Sequence, residues 1–240
     1  MPIFEYADVQ LHYEETGEGF PVLLFAPGGM RSAAPFWMRS PWNPVDALSP
    51  HFRVIAMDQR NAGRSTAPVT GSDGWAAYTR DHLALLDGLG IERCHLLGGC
   101  IGGSYSFGVA RAAPERVAAV VLQQPIGADG DNRRAFYDMF DGWADDLRES
   151  MPDVADDDWT RFRGNMYDAD FVFSVSRDFV ASCEIPMLVL MGDDLYHPSS
   201  TSREIARIAP NAELIERWKE PEVVDAAVQK VIDFLKRHRA

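Results

Sequence analysis

Residues Gly98-Gly99-Cys100-Ile101-Gly102 constrain this chain more than any other segment. A Gly-x-Cys-x-Gly run between a strand and a helix demands a sharp turn. Glycines at both flanks let the backbone and the following helix pack closely, which pushes the central side chain outward. The flanks supply that context: residues 93–97 read as a short strand, and residues 103–113 as a helix stopped near Pro114. The central group is a thiol where a hydroxyl is usual. A free cysteine is most often a small buried apolar residue; at the apex of such an elbow, Cys100 becomes the candidate nucleophile.

Around the elbow, strands alternate with helices. Residues 9–16, 21–26, 52–57, 117–122, 186–191 and 212–215 read as strands, and 75–89, 202–208 and 221–238 as helices. Alternation of this kind implies βαβ units and a mainly parallel sheet, with the ligand site beyond the carboxyl ends of the strands. The expected fold class is α/β. The length of 240 residues suits one such domain.

Between Pro125 and Ile185 the alternation fails, and aspartate and aromatic residues accumulate at roughly helical spacing, from Phe136 to Phe173. A structureless loop of that length is improbable in a compact domain. The expected organisation is a core of residues 1–124 and 185–240 carrying a helical lid at 125–184. The aromatics are expected mainly as lid core, since large exposed apolar patches are rare on monomers.

Lys and Arg number 23 against 36 Asp and Glu, a net charge of −13. That balance argues against nucleic acid or an anionic membrane as partner. The N-terminus shows no leader pattern, no stretch approaches a membrane span, and Cys94, Cys100 and Cys183 are odd in number and widely spaced. The expectation is a cytoplasmic protein acting on a small molecule, with no cofactor and no metal, and with homo-oligomer formation left open.

With these elements placed, the chain resembles the α/β-hydrolase superfamily over nearly its whole length. Four motifs carry the resemblance: Ala26-Pro27-Gly28-Gly29, similar to the family's oxyanion loop; residues 58–65, Asp-Gln-Arg-Asn-Ala-Gly-Arg-Ser; the elbow; and residues 186–194 followed by His197-Pro198. The resemblance implies an α/β-hydrolase fold, places the acid at Asp194 rather than Asp193, and puts Cys100 in the position of the elbow serine, as in dienelactone-hydrolase-like members. One departure matters. The family's general-base histidine is expected before the last helix, and residues 212–221 contain none.

Acyl transfer needs a nucleophile, a proton acceptor and donors aimed at the developing oxyanion. The donors expected here are the backbone N–H of Ile101 and that of Gly29 or Met30. For the base, location removes most histidines. His12 lies in an early strand, His82 within a helix, His51 before the amino end of its strand, and His238 at the end of the last helix. His95 stands five residues before Cys100, about 15 Å along an extended strand. His197, in a loop three residues beyond Asp194, remains. The alternatives are that His197 only fixes its loop, or that Lys219, near the vacated position, acts instead. Asp58, Arg60, Asn61 and Arg64 are expected to brace their loop; Gln123 and Gln124 end a strand on the correct side to meet substrate.

The function expected from this reading is hydrolysis of a small ester, thioester or lactone through an acyl-enzyme on Cys100. Carbon–carbon bond cleavage or acyl transfer on the same scaffold, and ligand binding by a disabled hydrolase, are the alternatives.

Overall fold

A computed structural model describes residues 2–239. Eight strands form one sheet in the order β1-β2-β4-β3-β5-β6-β7-β8. These are β1 (Ile3–Tyr6), β2 (Val9–Thr16), β3 (Pro21–Phe25), β4 (Arg53–Met57), β5 (Cys94–Gly99), β6 (Val117–Gln123), β7 (Met187–Leu190) and β8 (Ala212–Ile215). β1, β2 and β4 pair antiparallel, and every pair from β4 to β8 is parallel.

The centre of the sheet is apolar because helices cover both of its faces. Every residue of β5 and β6 is buried. Along β3 the side chains alternate: Leu23 and Phe25 join one core with α2 (Trp75–Gly88) and α3 (Gly102–Ala112), while Val22 and Leu24 join another with α8 (Val224–Arg237) and α1 (Pro44–Leu48). On α8, Ala227, Val231 and Leu235 recur every four residues, a stripe that seats the helix on the sheet. Between β7 and β8 runs α7 (Ser199–Ile208), one turn longer at its start than residues 202–208 suggest.

Between β6 and β7 the chain forms α4 (Arg133–Arg148), α5 (Asp156–Tyr167) and α6 (Arg177–Ser182). Phe136, Phe140, Trp143, Trp159, Phe162 and Tyr167 are buried there, packed mostly edge to face. Arg31 ties this insertion to the loop after β3, donating to Asp146 and to the Gly142 carbonyl.

Charge is buried around loop 58–65. The Arg60 guanidinium grips Asp81 through Nε at 2.7 Å and Nη2 at 3.0 Å, and reaches Asp73 at 2.8 Å; the Tyr6 hydroxyl also donates to Asp81. Asp58 accepts from the amides of Ala34 (2.8 Å) and Arg64 (2.9 Å) and pairs with His12 at 3.0 Å. Loop 58–65 is thereby pinned between β2, α2 and the β3 loop. Removing one partner leaves a cation without its best anion, which costs far more than the pair itself contributes. Asp81→Ala is expected to lower stability by about 3 kcal/mol or more, read from urea unfolding; an unchanged midpoint would show that Asp73 alone suffices for Arg60.

Candidate active site

The elbow forms between β5 and α3. Cys100 adopts φ +59°, a left-handed conformation that costs a residue with a Cβ roughly 1–2 kcal/mol. The turn is possible because two neighbours lack side chains. A Cβ on Gly98 would meet the Gly102 carbonyl oxygen at 2.1 Å, and one on Gly102 would meet the Phe25 oxygen at 2.3 Å. The strained turn is held by Cys100 N–H donating to Gln123 O at 2.9 Å and Gly103 N–H donating to Cys100 O at 3.1 Å. Cys94 and Cys183 are buried, but Cys100 is half-buried and lines a cavity of about 320 Å³.

The main-chain N–H groups of Gly28 and Ile101 favour the thiolate form of Cys100. Ile101 stands where the sequence places it, at the start of α3. In the β3 loop the Gly28 N–H favours the thiolate, one residue before the Gly29 and Met30 amides expected as oxyanion donors. Gly28 takes φ +124° and Gly29 φ +58°. The Met30 N–H instead donates to Met139 Sδ at 3.4 Å, while Gly29 lines the cavity beneath Met139.

After β7 the chain turns tightly at residues 192–198. His197 Nδ1 lies 2.8 and 2.9 Å from the two carboxylate oxygens of Asp194, whose Oδ1 also accepts from the amides of Tyr196 (2.9 Å) and His197 (3.1 Å). Asp194 and His197 further exchange main-chain hydrogen bonds at 3.3 and 3.2 Å. Gly192 admits this closure, since a Cβ there would meet His197 O at 2.4 Å. His197 Nε2 is buried without a hydrogen-bond partner among the described residues, and His197 and Cys100 line the same cavity.

The electrostatics follow from this arrangement. Burial alone would discharge the His197 ring, but the Cys100 thiolate and the Asp194 carboxylate together raise its pKa from 6.5 to about 10. The hydrogen bond from His197 holds Asp194 down at about 2. Burial opposes ionisation of Cys100; the facing imidazolium and the Gly28 and Ile101 donors outweigh it and lower the thiol. Thiolate and imidazolium are mutually dependent, so their titration belongs to the pair.

The other candidates fall elsewhere. Lys219 pairs with Asp193 at the surface, and Trp218, buried beside it, donates to Met191 O at 2.8 Å. Asp58, Arg60 and Asn61 are absent from the cavity wall, and Arg64 lies with Asp58 and His12. Gln124 does line the cavity; Gln123 is buried and donates to Ser40 at 2.8 Å. His82 bonds Gln59 at 2.7 Å, His95 packs against Phe20 and Phe52, and burial pushes both rings down to about 3. Sequence reasoning missed Met139 and Tyr196 as wall residues. No metal-binding cluster occurs among the described residues, and none of their helices is long and apolar enough to cross a membrane.

Comparison with known proteins agrees with this architecture. The putative carbamate hydrolase RutD of Azorhizobium caulinodans is 36% identical over 137 residues, 57% of this chain and 49% of that protein. The chain thus spans about half the length of the first curated relatives it matches. A 2-hydroxy-6-oxononadienedioate/2-hydroxy-6-oxononatrienedioate hydrolase of Paraburkholderia xenovorans is 25% identical over 95% of this chain and 91% of its own. The enol-lactonase from Burkholderia xenovorans LB400 superposes with a TM-score of 0.73 at 26% identity, covering 98% of this chain and all of that one (100%). The profile of the alpha/beta hydrolase fold family matches residues 21–174, well over half the sequence, and the chain belongs to that family.

Proposed function

We propose that this protein hydrolyses a small ester, thioester or lactone through a covalent acyl-enzyme on Cys100. One observation carries the reading: His197, held by Asp194, lines the same cavity as the elbow sulfur, whose thiolate the Gly28 and Ile101 N–H groups favour. The hydrolase names of the relatives, and the family itself, support the reaction class.

The chemistry divides between named groups. The Cys100 thiolate attacks the carbonyl carbon; as the S–C bond forms, the carbonyl π pair moves to oxygen, where the Gly28 and Ile101 N–H groups meet the charge. Collapse restores the carbonyl and breaks the bond to the leaving group, which takes its proton from His197 Nε2. His197 then accepts a proton from water as that water attacks the thioester, and keeps it as the thioester breaks and the sulfur leaves as thiolate, which restores the starting ion pair. Asp194 holds the ring orientation and stays ionised throughout. His197 in this reading does the work of the histidine that residues 212–221 lack. The insertion at 125–184 acts as a lid, contributing Ile126, Phe136, Met139 and Tyr167 to the acyl pocket, over a core of residues 1–124 and 185–240.

With an activated ester, a burst and an acyl adduct in the intact mass are expected, both lost in Cys100→Ala together with at least about a thousandfold of kcat/KM. A variant that retains turnover and adduct would remove Cys100 from the chemistry.

His197→Gln is expected to lower kcat/KM at least about tenfold, equivalent to ~1.4 kcal/mol of barrier. It also removes the charge that depresses the thiol. The acid limb of the pH–rate profile, below the ~8.5 of a free thiol in the parent, therefore moves upward in the variant. An unchanged profile would leave His197 as a loop residue only.

A further inference from the structure

Among the described residues, the cavity wall holds no lysine and no arginine. Its one cation, the His197 imidazolium, already faces two anions, the Asp194 carboxylate and the Cys100 thiolate. The cations on surrounding elements are engaged elsewhere. Arg31 holds Asp146, Arg133 donates to the carbonyls of Tyr167 and Ala169, Arg163 holds Asp141, and Lys219 holds Asp193. What remains for a ligand is aromatic and thioether surface from Phe136, Tyr167, Tyr196 and Met139, with Gln124 as a neutral polar group. The net charge of −13 adds a repulsive field outside.

We infer that the site selects acyl groups that are neutral and rejects those carrying a carboxylate. This deepens the hydrolase reading above and rests on it only for the reaction, not for the selectivity. A carboxylate drawn into this cavity would lose its water, find no cation to replace it and lie beside a thiolate. A neutral acyl group of the same shape meets none of these costs and gains apolar contact on three rings. The Paraburkholderia relative is named for dioate substrates; the absence of a wall cation separates this chain from such substrates on physical grounds. At about 320 Å³ the cavity also lies near the small end of the ~300–1,000 Å³ usual for ligand sites.

Two measurements test the inference. The first reads site charge without any hydrolysis: alkylation of Cys100 by iodoacetamide and by iodoacetate, followed by peptide mapping. In both, the sulfur lone pair forms the new S–C bond and iodide departs with the electrons of the C–I bond. The iodoacetamide-to-iodoacetate rate ratio at Cys100 is expected to exceed that of 2-mercaptoethanol in the same buffer by at least about tenfold. Met139→Lys, which puts an ammonium on the cavity wall, is expected to bring the ratio back toward that of the free thiol. Equal ratios, or faster reaction with iodoacetate, would show His197 acting as an uncompensated cation and overturn the inference. The second measurement compares kcat/KM for p-nitrophenyl butanoate and mono-p-nitrophenyl succinate, with the succinate expected about a hundredfold poorer. Comparable values would overturn the selectivity. If neither ester turns over while the alkylation ratio holds, the hydrolase reading falls and the charge-selective cavity stands.

Discussion

The carboxyl end of the sheet is organised by one backbone constraint: Cys100 must hold a left-handed conformation while β5 on one side and α3 on the other crowd against it. The constraint is met by subtraction. Gly98 and Gly102 leave no room for a methyl group, so the helix begins almost on top of the strand. Once this turn exists, the sulfur cannot retreat into the core. It stands at the cavity floor, with the Ile101 amide beside it and the Gly28 amide brought in from the neighbouring strand β3. Strain of this sort persists only where the surroundings over-determine it, and the wholly buried β5 and β6 supply that rigidity.

Charge completes what geometry begins. A thiolate in a half-buried cavity is costly alone, and so is an imidazolium; facing each other, each favours the other's ionised form. Asp194 adds a second anion on the far side of the ring, so the triad carries a net charge of minus one and offers no electrostatic welcome to another anion. Under the proposed reading, reactivity toward neutral carbonyls and rejection of carboxylates have one origin.

The sequence makes the elbow legible because two glycines flanking a polar residue between a strand and a helix leave few backbone solutions. It also makes His197 findable, by elimination on strand polarity, and the structure does bring Cys100, Asp194 and His197 together. What it hides depends on contacts through space. Gly28 and Gly29 take two successive positive φ values, which a run of glycines allows but does not specify. Met139 reaches Met30 across 109 positions of chain, a pairing no local periodicity encodes. β1 is four residues long and mostly solvent-facing, too short to show alternation, and its edge position is fixed by pairing with β2 and by Tyr6 reaching Asp81 on α2. The aromatics between 136 and 173 pack chiefly on one another, as their helical spacing suggests, yet Phe136 and Tyr167 also wall the cavity, because the innermost layer of a small cluster is also its boundary.

Asp194 and His197 sit in a single turn, closed by hydrogen bonds in both directions and seated through Tyr196 against Phe136 of the insertion. Carboxylate and imidazole therefore travel as one rigid cassette whose internal alignment survives any shift of the loops around it. The segment joining β8 to α8 holds no histidine and braces this turn instead, Trp218 donating to Met191 O and Lys219 pairing with Asp193. The insertion grips the same turn from the other side, through the Phe136–Tyr196 ring pair, the Asn132 side chain donating to Leu195 O at 2.9 Å and the Gly127 N–H donating to Tyr196 O at 3.4 Å, so its placement and that of the His197 ring are mechanically joined.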